Sequence, residues 1–328
     1  MGGVFLCLLV GLWQAKALLQ FALTGAVISL PLAAFEAHLF LPRFADALRR
    51  ASFPVHLLLK TAFYFLVIVL GIQIGVILVE RPYPGFTLNS VFVSGVLFSF
   101  IFSVAANFLF LVRRMVGTSA LSNFFLGKYY RPREEQRIFM FLDVDSSTAL
   151  AERIGHRQFH AFLNRFFFDI SEPIRATKGI IYQYAGDGVV ISWLLSIGVR
   201  DANCLRCYFA ICDQLAAASS AYVRDFGAFP SFRAGLHAGP VVAGEIGDLK
   251  QEIVFLGDTV NTAARVLDAC KTVGQRILVS RDLIEHVSLP SDISARSLGP
   301  IALRGKKEPI EIFTVERYTI GERAVAPC

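Results

Sequence analysis

The chain has 328 residues, a formal net charge of +6, 55% hydrophobic residues and six cysteines. That apolar fraction, with its positive mean hydropathy, excludes an ordinary soluble protein and places part of the chain in lipid. The basic excess lies beside apolar segments, at Arg43, Arg49, Arg50, Arg113 and Arg114, with no basic stripe interleaved with aromatics, so nucleic acid is excluded as a partner.

Charges are sparse up to about residue 112 and reach ordinary density from Arg113 onward. This predicts an all-α transmembrane domain over residues 1–113, followed by a soluble half. Residues 17–41, 55–79 and 89–112 each meet the requirement of about 20 apolar residues for a span. Residues 4–13 are apolar but short. A signal-like segment, a short first span and the remnant of a longer helix all fit them, and the lack of a small-residue cleavage motif favours a short membrane segment. The loop 42–52 carries three arginines, whereas the loop 80–88 holds only Arg81 opposite Glu80. The positive-inside rule then predicts a multi-pass protein with its C-terminal half in the cytoplasm, and with the family resemblance given below the expected location is the inner (cytoplasmic) membrane. Residues 114–136 read as a coupling linker, helical in spacing over 115–126 and broken by a glycine and a proline after it. Membrane lipid, a membrane-protein partner and a lipophilic regulator are its candidate inputs.

Residues 138–144 (IFMFLDV) read as a buried strand. A long amphipathic helix is predicted over 148–176, then strands over 179–185 and 189–193 joined at Gly186-Asp187-Gly188, a hairpin signal. A second long helix is predicted over 200–226, followed by strands over 232–237 and 241–246. This β-α-β-β-α-β order predicts a ferredoxin-like α+β domain. Cys204 and Cys207 have C-x-x-C spacing without a second pair, so they read as reduced core cysteines.

Asp143 ends the first strand and Asp187 sits at the hairpin tip, so the two carboxylates converge if those strands are neighbours. Clustered carboxylates are hard oxygen ligands, suited to Mg²⁺ or Mn²⁺ carrying a phosphate substrate. Taken singly, Asp187 is ordinary turn chemistry. Residues 257–265 (GDTVNTAAR) open a helix with Asp258 as its N-cap. Asn261 and Arg265 share one face of it, an arrangement that can orient a ribose and neutralise a phosphoryl group. A plain polar helix face fits that segment equally well.

FLDVDSST at 141–148, YAGDGVV at 184–190, RAGLHAGPVVAGEIG at 233–247 and GDTVNTAAR at 257–265 together resemble the class III adenylate/guanylate cyclase catalytic domain, in that family's order and spacing. The resemblance covers residues 137–317 and leaves 318–328 as a tail. It implies a homodimer with active sites at the interface. One protomer supplies Asp143, Asp187 and the backbone carbonyl of Val144 to two Mg²⁺ or Mn²⁺ ions, and the other supplies Asn261 and Arg265. Backbone amides from Asp145 through Ser146, Ser147 and Thr148 are expected to cradle phosphates. Arg304 stands where the family has a lysine on the terminal phosphates. The purine-reading positions hold Gln183 and Val254, where adenylate cyclases commonly place Lys and Asp or Thr. Valine has no side-chain hydrogen bond to offer a base, and the glutamine amide suits adenine or guanine by rotation. The implied function is an adenylate cyclase converting ATP to cyclic AMP and pyrophosphate. A guanylate cyclase and a catalytically silent pseudo-cyclase acting as a membrane-linked dimerisation module are the alternatives.

Overall fold

The computed structural model describes residues 15–36, 53–79, 90–116 and 127–318. The short apolar segment 4–13, the loops 42–52 and 80–88, the helical part of the linker at 117–126 and the tail after 318 lie outside the described residues. The chain divides into two compact units, residues 1–121 and 122–328.

The first unit contains helices α1 (Ala15–Glu36), α2 (Phe53–Val79) and α3 (Ser90–Val116). Among the described residues one stretch is long and apolar enough to cross a membrane, Leu57–Ile74 within α2, with mean hydropathy 2.1. The apolar stretches of α1 and α3, Ala22–Leu32 and Val96–Leu109, are shorter. Leu58, Leu66, Leu70, Ile101 and Phe102 are more than half exposed, while Lys60, Ser103 and Asn107 are buried. The Asn107 amide donates to the Ser103 hydroxyl at 3.4 Å. Phe35, Tyr64 and Ile68 are buried with them, so the interior of these helices is mixed while much of their surface is apolar.

The second unit is built on one eight-stranded sheet, with order β2-β3-β1-β4-β6-β8-β7 and β5 paired to β4. Its elements are β1 (Arg133–Val144), α4 (Ser147–Ile154), α5 (His156–Ala176), β2 (Ile180–Ala185), β3 (Gly188–Leu194), α6 (Asn203–Ala217), α7 (Ser219–Phe226), β4 (Phe232–Ile246), β5 (Glu252–Leu256), α8 (Asp258–Val273), β6 (Ile277–Ser280), β7 (Ile293–Ile301) and β8 (Ile310–Arg317). β1 lies antiparallel between β3 and β4, and β2 pairs antiparallel with β3. This is the split β-α-β order that the sequence pattern implies.

Both long helices of the sequence reading are interrupted. Gly155, at φ +82, separates α4 from α5. Ala218, at φ −92 and ψ 0, leaves the helical region between α6 and α7. The two strands expected around Pro240 are one. β4's edge away from β1 is paired by β6 only at residues 234–236 and by β5 only at 242–246. Pro240 falls in the gap, where its missing N–H breaks no ladder on that side, and its carbonyl accepts the Thr259 hydroxyl at 2.6 Å.

Alternation along β1 divides the sheet's two faces. Ile138, Met140, Leu142 and Val144 enter the main core beneath the helices, with Phe162, Phe166, Ile170 and Trp193. Cys204 and Cys207 lie in that core as free thiols, and burial pushes both up to about 12, so they are inert. Arg137, Phe139, Phe141 and Asp143 alternate onto the opposite face.

On that opposite face α8 crosses β4 at very short range. A Cβ on Gly235 would lie 2.2 Å from the Leu267 amide nitrogen, and one on Gly239 would lie 2.6 Å from the Thr259 hydroxyl. The helix meets the strand with small side chains, among them Thr262, Ala263 and Ala269. Gly235→Ala is therefore expected to destabilise the unit by about 2–3 kcal/mol or more, because backbone cannot yield as a side-chain tip does. Urea unfolding would check this, and a loss below about 0.5 kcal/mol would contradict the packing.

Candidate active site

Asp143 is the penultimate residue of β1, paired with Gly188 of β3 on one side and Arg233 of β4 on the other. The hairpin between β2 and β3 has the two-residue loop Gly186-Asp187, closed by the pair Ala185–Gly188. Gly186 supplies the positive φ, +63, that so tight a turn demands. A Cβ at Gly188 would stand 2.7 Å from the Leu142 carbonyl oxygen and 3.4 Å from Asp143 Oδ1. The glycines thus bring Asp187 against Asp143 and keep the space between them clear.

Asp187 is next in the chain to Gly188, the cross-strand partner of Asp143, and the Asp143 group is raised to about 6. Burial is the largest cause, followed by the charge and hydrogen bond of Asp187, with Lys271 and Arg233 opposing. Two hard oxygen donors placed side by side fit a divalent cation. Among the described residues no group of three or more His, Cys, Asp or Glu is positioned to hold a metal. The Val144 side chain is in the core, which leaves only its backbone for such a role.

The loop after Asp143 is clamped by residues that sequence reading missed. Asp145 pairs with Arg233 at 2.9 Å and with Arg276 at 3.1 Å. A buried arginine on the strand beside Asp143 was the available signal. Arg276 comes from the turn between α8 and β6 and left none. The Asp145 amide donates to the Ser231 carbonyl at 2.8 Å. The Asp145 amide, expected among the phosphate donors, is thus engaged within the chain. Ser146 sits at φ 54 and ψ 31 before α4, without a side-chain cap. A non-glycine residue there is strained by about 1–2 kcal/mol. With it, Ser147 and Thr148 open a helix whose first-turn amides have no intrahelical acceptor.

The other predicted residues gather elsewhere. Asn261 is exposed on α8, and Arg265 is half-buried one turn later. The Arg265 guanidinium lies 4.0 Å from Asp258 Oδ1. A Cβ on Gly305 would come 3.3 Å from its Nη2, so the loop bearing the exposed Arg304 folds onto Arg265. Asp258 is not the helix cap. Gly257 takes that place at φ +151, and Asp258 is the first helical residue. Its carboxyl bonds to Lys306, the main reason it is held below the ordinary carboxylate range, and accepts the Thr262 hydroxyl at 3.3 Å. Gln183 is exposed on β2 and Val254 is half-buried on β5.

Within one chain these two groups stand apart. Thr259 is bonded to Pro240, which pairs with Gln136, whereas the Cys270 thiol bonds to the Ala234 carbonyl, and Ala234 pairs with Leu142. Helix α8 therefore runs antiparallel to β4, with its first turn beside the start of β1. Gln136 and Asp143 are seven residues apart on β1, or about 23 Å at ~3.3 Å per residue. The structure brings Asp143 to Asp187, and Arg265 to the Arg304 loop, but does not bring Asn261 to the carboxylates of its own chain.

The unit is thus a split β-α-β sheet that displays paired carboxylates, a helix opening after Ser146 and an Asn/Arg helix face. Residues 129–317 match the family described as the adenylate and guanylate cyclase catalytic domain, and the chain belongs to that family of enzymes. It is 31% identical over 314 residues to adenylate cyclase 2 of Rhizobium meliloti (strain 1021), covering 93% of this chain and 86% of that protein. It is 29% identical over 181 residues to adenylate cyclase 1 of the same organism, over 54% of this chain but only 27% of that protein. Among solved structures, a bacterial light-regulated adenylyl cyclase superposes with TM-score 0.58 at 20% identity, over 72% of this chain and 70% of that one. The adenylyl cyclase CyaB from P. aeruginosa superposes with TM-score 0.51 at 19% identity, over 58% of this chain and 97% of that one. These two likenesses concern the fold.

Proposed function

We propose that the chain is a membrane-anchored adenylate cyclase that converts ATP to 3′,5′-cyclic AMP and pyrophosphate at sites shared between two copies. The observation that carries this reading is the pairing of Asp143, at the end of β1, with the hairpin strand that follows Asp187, which sets two carboxylates side by side. Such an arrangement costs stability and is expected where a cation is to be held. Asp143, Asp187 and the Val144 carbonyl would hold two Mg²⁺ or Mn²⁺ ions, whose chemistry is to acidify the ribose 3′-hydroxyl and neutralise the triphosphate.

The chain's own groups account for the rest. Asn261 orients the ribose so that its 3′-oxygen faces the α-phosphorus, in line with the bond to the departing pyrophosphate. Arg265 stabilises the charge that grows on the α-phosphate oxygens. The amides of Ser146, Ser147 and Thr148 receive phosphate oxygens, and Arg304 binds the terminal phosphates bidentately. Gln183 and Val254 flank the base. ATP as the substrate is supported by the name of the relative that matches 93% of this chain.

Anchoring is supported by Leu57–Ile74 and by the apolar surface of the three helices. We read them, with the arginine-bearing loops, as a multi-pass anchor in the inner membrane, with the catalytic unit in the cytoplasm and residues 114–136 coupling the two. Product analysis with Mn²⁺ and ATP or GTP supplied side by side tests the reading. Cyclic AMP from ATP is expected. Cyclic GMP as the main product would establish the guanylate alternative, and no product from either would establish a pseudo-cyclase.

A further inference from the structure

Three residues assigned above to nucleoside recognition are each adjacent in the chain to a member of one small satellite core. Tyr182 precedes Gln183, Phe255 follows Val254 and Val260 precedes Asn261. The rings of Tyr182 and Phe255 are 4.9 Å apart between centroids, and Phe139 lies 5.5 Å from Phe255. The half-site is thus spread over three elements but rests on one platform.

Arg137 covers that platform, its guanidinium carbon 4.4 Å over the Phe255 ring. The residue is only 3% exposed. Its Nη1 donates to Glu135 at 2.6 Å and its Nη2 to the Ser192 hydroxyl at 3.0 Å, while Nε is buried without an acceptor. Glu135 also accepts the Tyr129 hydroxyl at 3.0 Å and pairs with Lys128 at 3.4 Å. Tyr129 is itself buried, and its carbonyl accepts the Glu245 amide at 3.1 Å. The end of the stretch read as the coupling linker is therefore built into the catalytic sheet. A buried guanidinium with an unsatisfied N–H costs free energy that an apolar residue of similar volume avoids. What the arginine provides is a connection, with Phe255 on one side and Tyr129, through Glu135, on the other.

We propose that Arg137 is a positioning residue for nucleoside recognition, fixing the Tyr182–Phe255–Val260 platform under Gln183, Val254 and Asn261 and tying it to Tyr129 where the chain enters the catalytic unit. This rests on the assignment of Gln183, Val254 and Asn261 to the nucleoside. Steady-state kinetics of the full-length protein in membranes, with ATP and with GTP, test it on Arg137→Gln, Arg137→Lys, Phe255→Leu and Gln183→Ala. Arg137→Gln is expected to raise KM for ATP about tenfold with kcat held within about twofold, and to change the ATP:GTP ratio of kcat/KM at least about threefold. Arg137→Lys, which keeps a cation over the ring, should recover part of the loss. Phe255→Leu should reproduce the Arg137→Gln pattern, and it carries the test if Arg137→Gln does not fold. Unchanged KM and ratio in the Arg137 and Phe255 variants, or a fall confined to kcat, would overturn the proposal. Gln183→Ala separates the two layers. If it alone moves KM and the ratio, the assignment stands and the positioning role fails; if it moves neither, the nucleoside assignment itself fails.

Discussion

Asp187→Asn is expected to lower cyclase activity by on the order of 10³-fold or more, ~4 kcal/mol of transition-state stabilisation, and at the same time to stabilise the metal-free protein. The two effects have one origin. Asp143 and Asp187 are pressed together by Gly186 and Gly188, and in the absence of a cation their charges oppose folding. Because the folded Asp143 group is raised to about 6 from 3.8, its ionisation penalises the native state fully above about pH 6. The penalty fades as pH falls towards the unfolded value. Asp143 is only half-buried, so solvent screening reduces the gain on removing Asp187 to about 1 kcal/mol, or roughly 2–4 °C in Tm. Thermal unfolding in chelator should therefore show the variant above wild type at pH 8 and the difference shrinking towards pH 4.5. Mg²⁺ should raise the wild-type Tm and leave the variant nearly unmoved. Full activity in Asp187→Asn would sink the metal assignment, and an unchanged metal-free Tm would show that the carboxylates do not repel.

Local chemistry made much of this legible before any coordinates. The apolar run ending in Asp143 forms a strand with alternate faces, and Gly-Asp-Gly forms the expected hairpin, because both depend on neighbours within a few residues. What failed depended on distant partners. Pro240 reads as a strand break only until the edge it faces is known to lie between β6 and β5. Asp258 reads as a helix cap until Lys306, from a loop 48 residues on, takes its carboxylate. The break at Ala218 has no sequence signal, since alanine favours helix. Gly235 and Gly239 did carry one, for glycines four apart on a strand share a face, and a helix lying on that face is the reason for them. The first unit was legible as apolar helices, of which one stretch, Leu57–Ile74 in α2, is long and apolar enough to cross a membrane among the described residues.

Co-expression of Asp143→Ala and Arg265→Ala chains is expected to restore about a quarter of wild-type activity, although each variant alone is inactive. In a two-fold dimer with shared sites, random pairing makes about half the dimers mixed, and each mixed dimer has one site free of both lesions. The prediction follows from the course of α8. Its bonds to Pro240 and Ala234 fix its direction against β4, and so set Asn261 on the order of 20 Å from Asp143 of the same chain. No rearrangement of the short asparagine side chain spans that gap. In the shared-site dimer proposed above, a second copy in the opposite orientation would span it, with each chain's Asn/Arg face set against the other's carboxylates. A site complete within one chain would instead give no recovery above the sum of the separate variants. Tandem-affinity isolation of mixed dimers, assayed against each homodimer, distinguishes the two, and about half the wild-type activity per mixed dimer is the value a shared site requires.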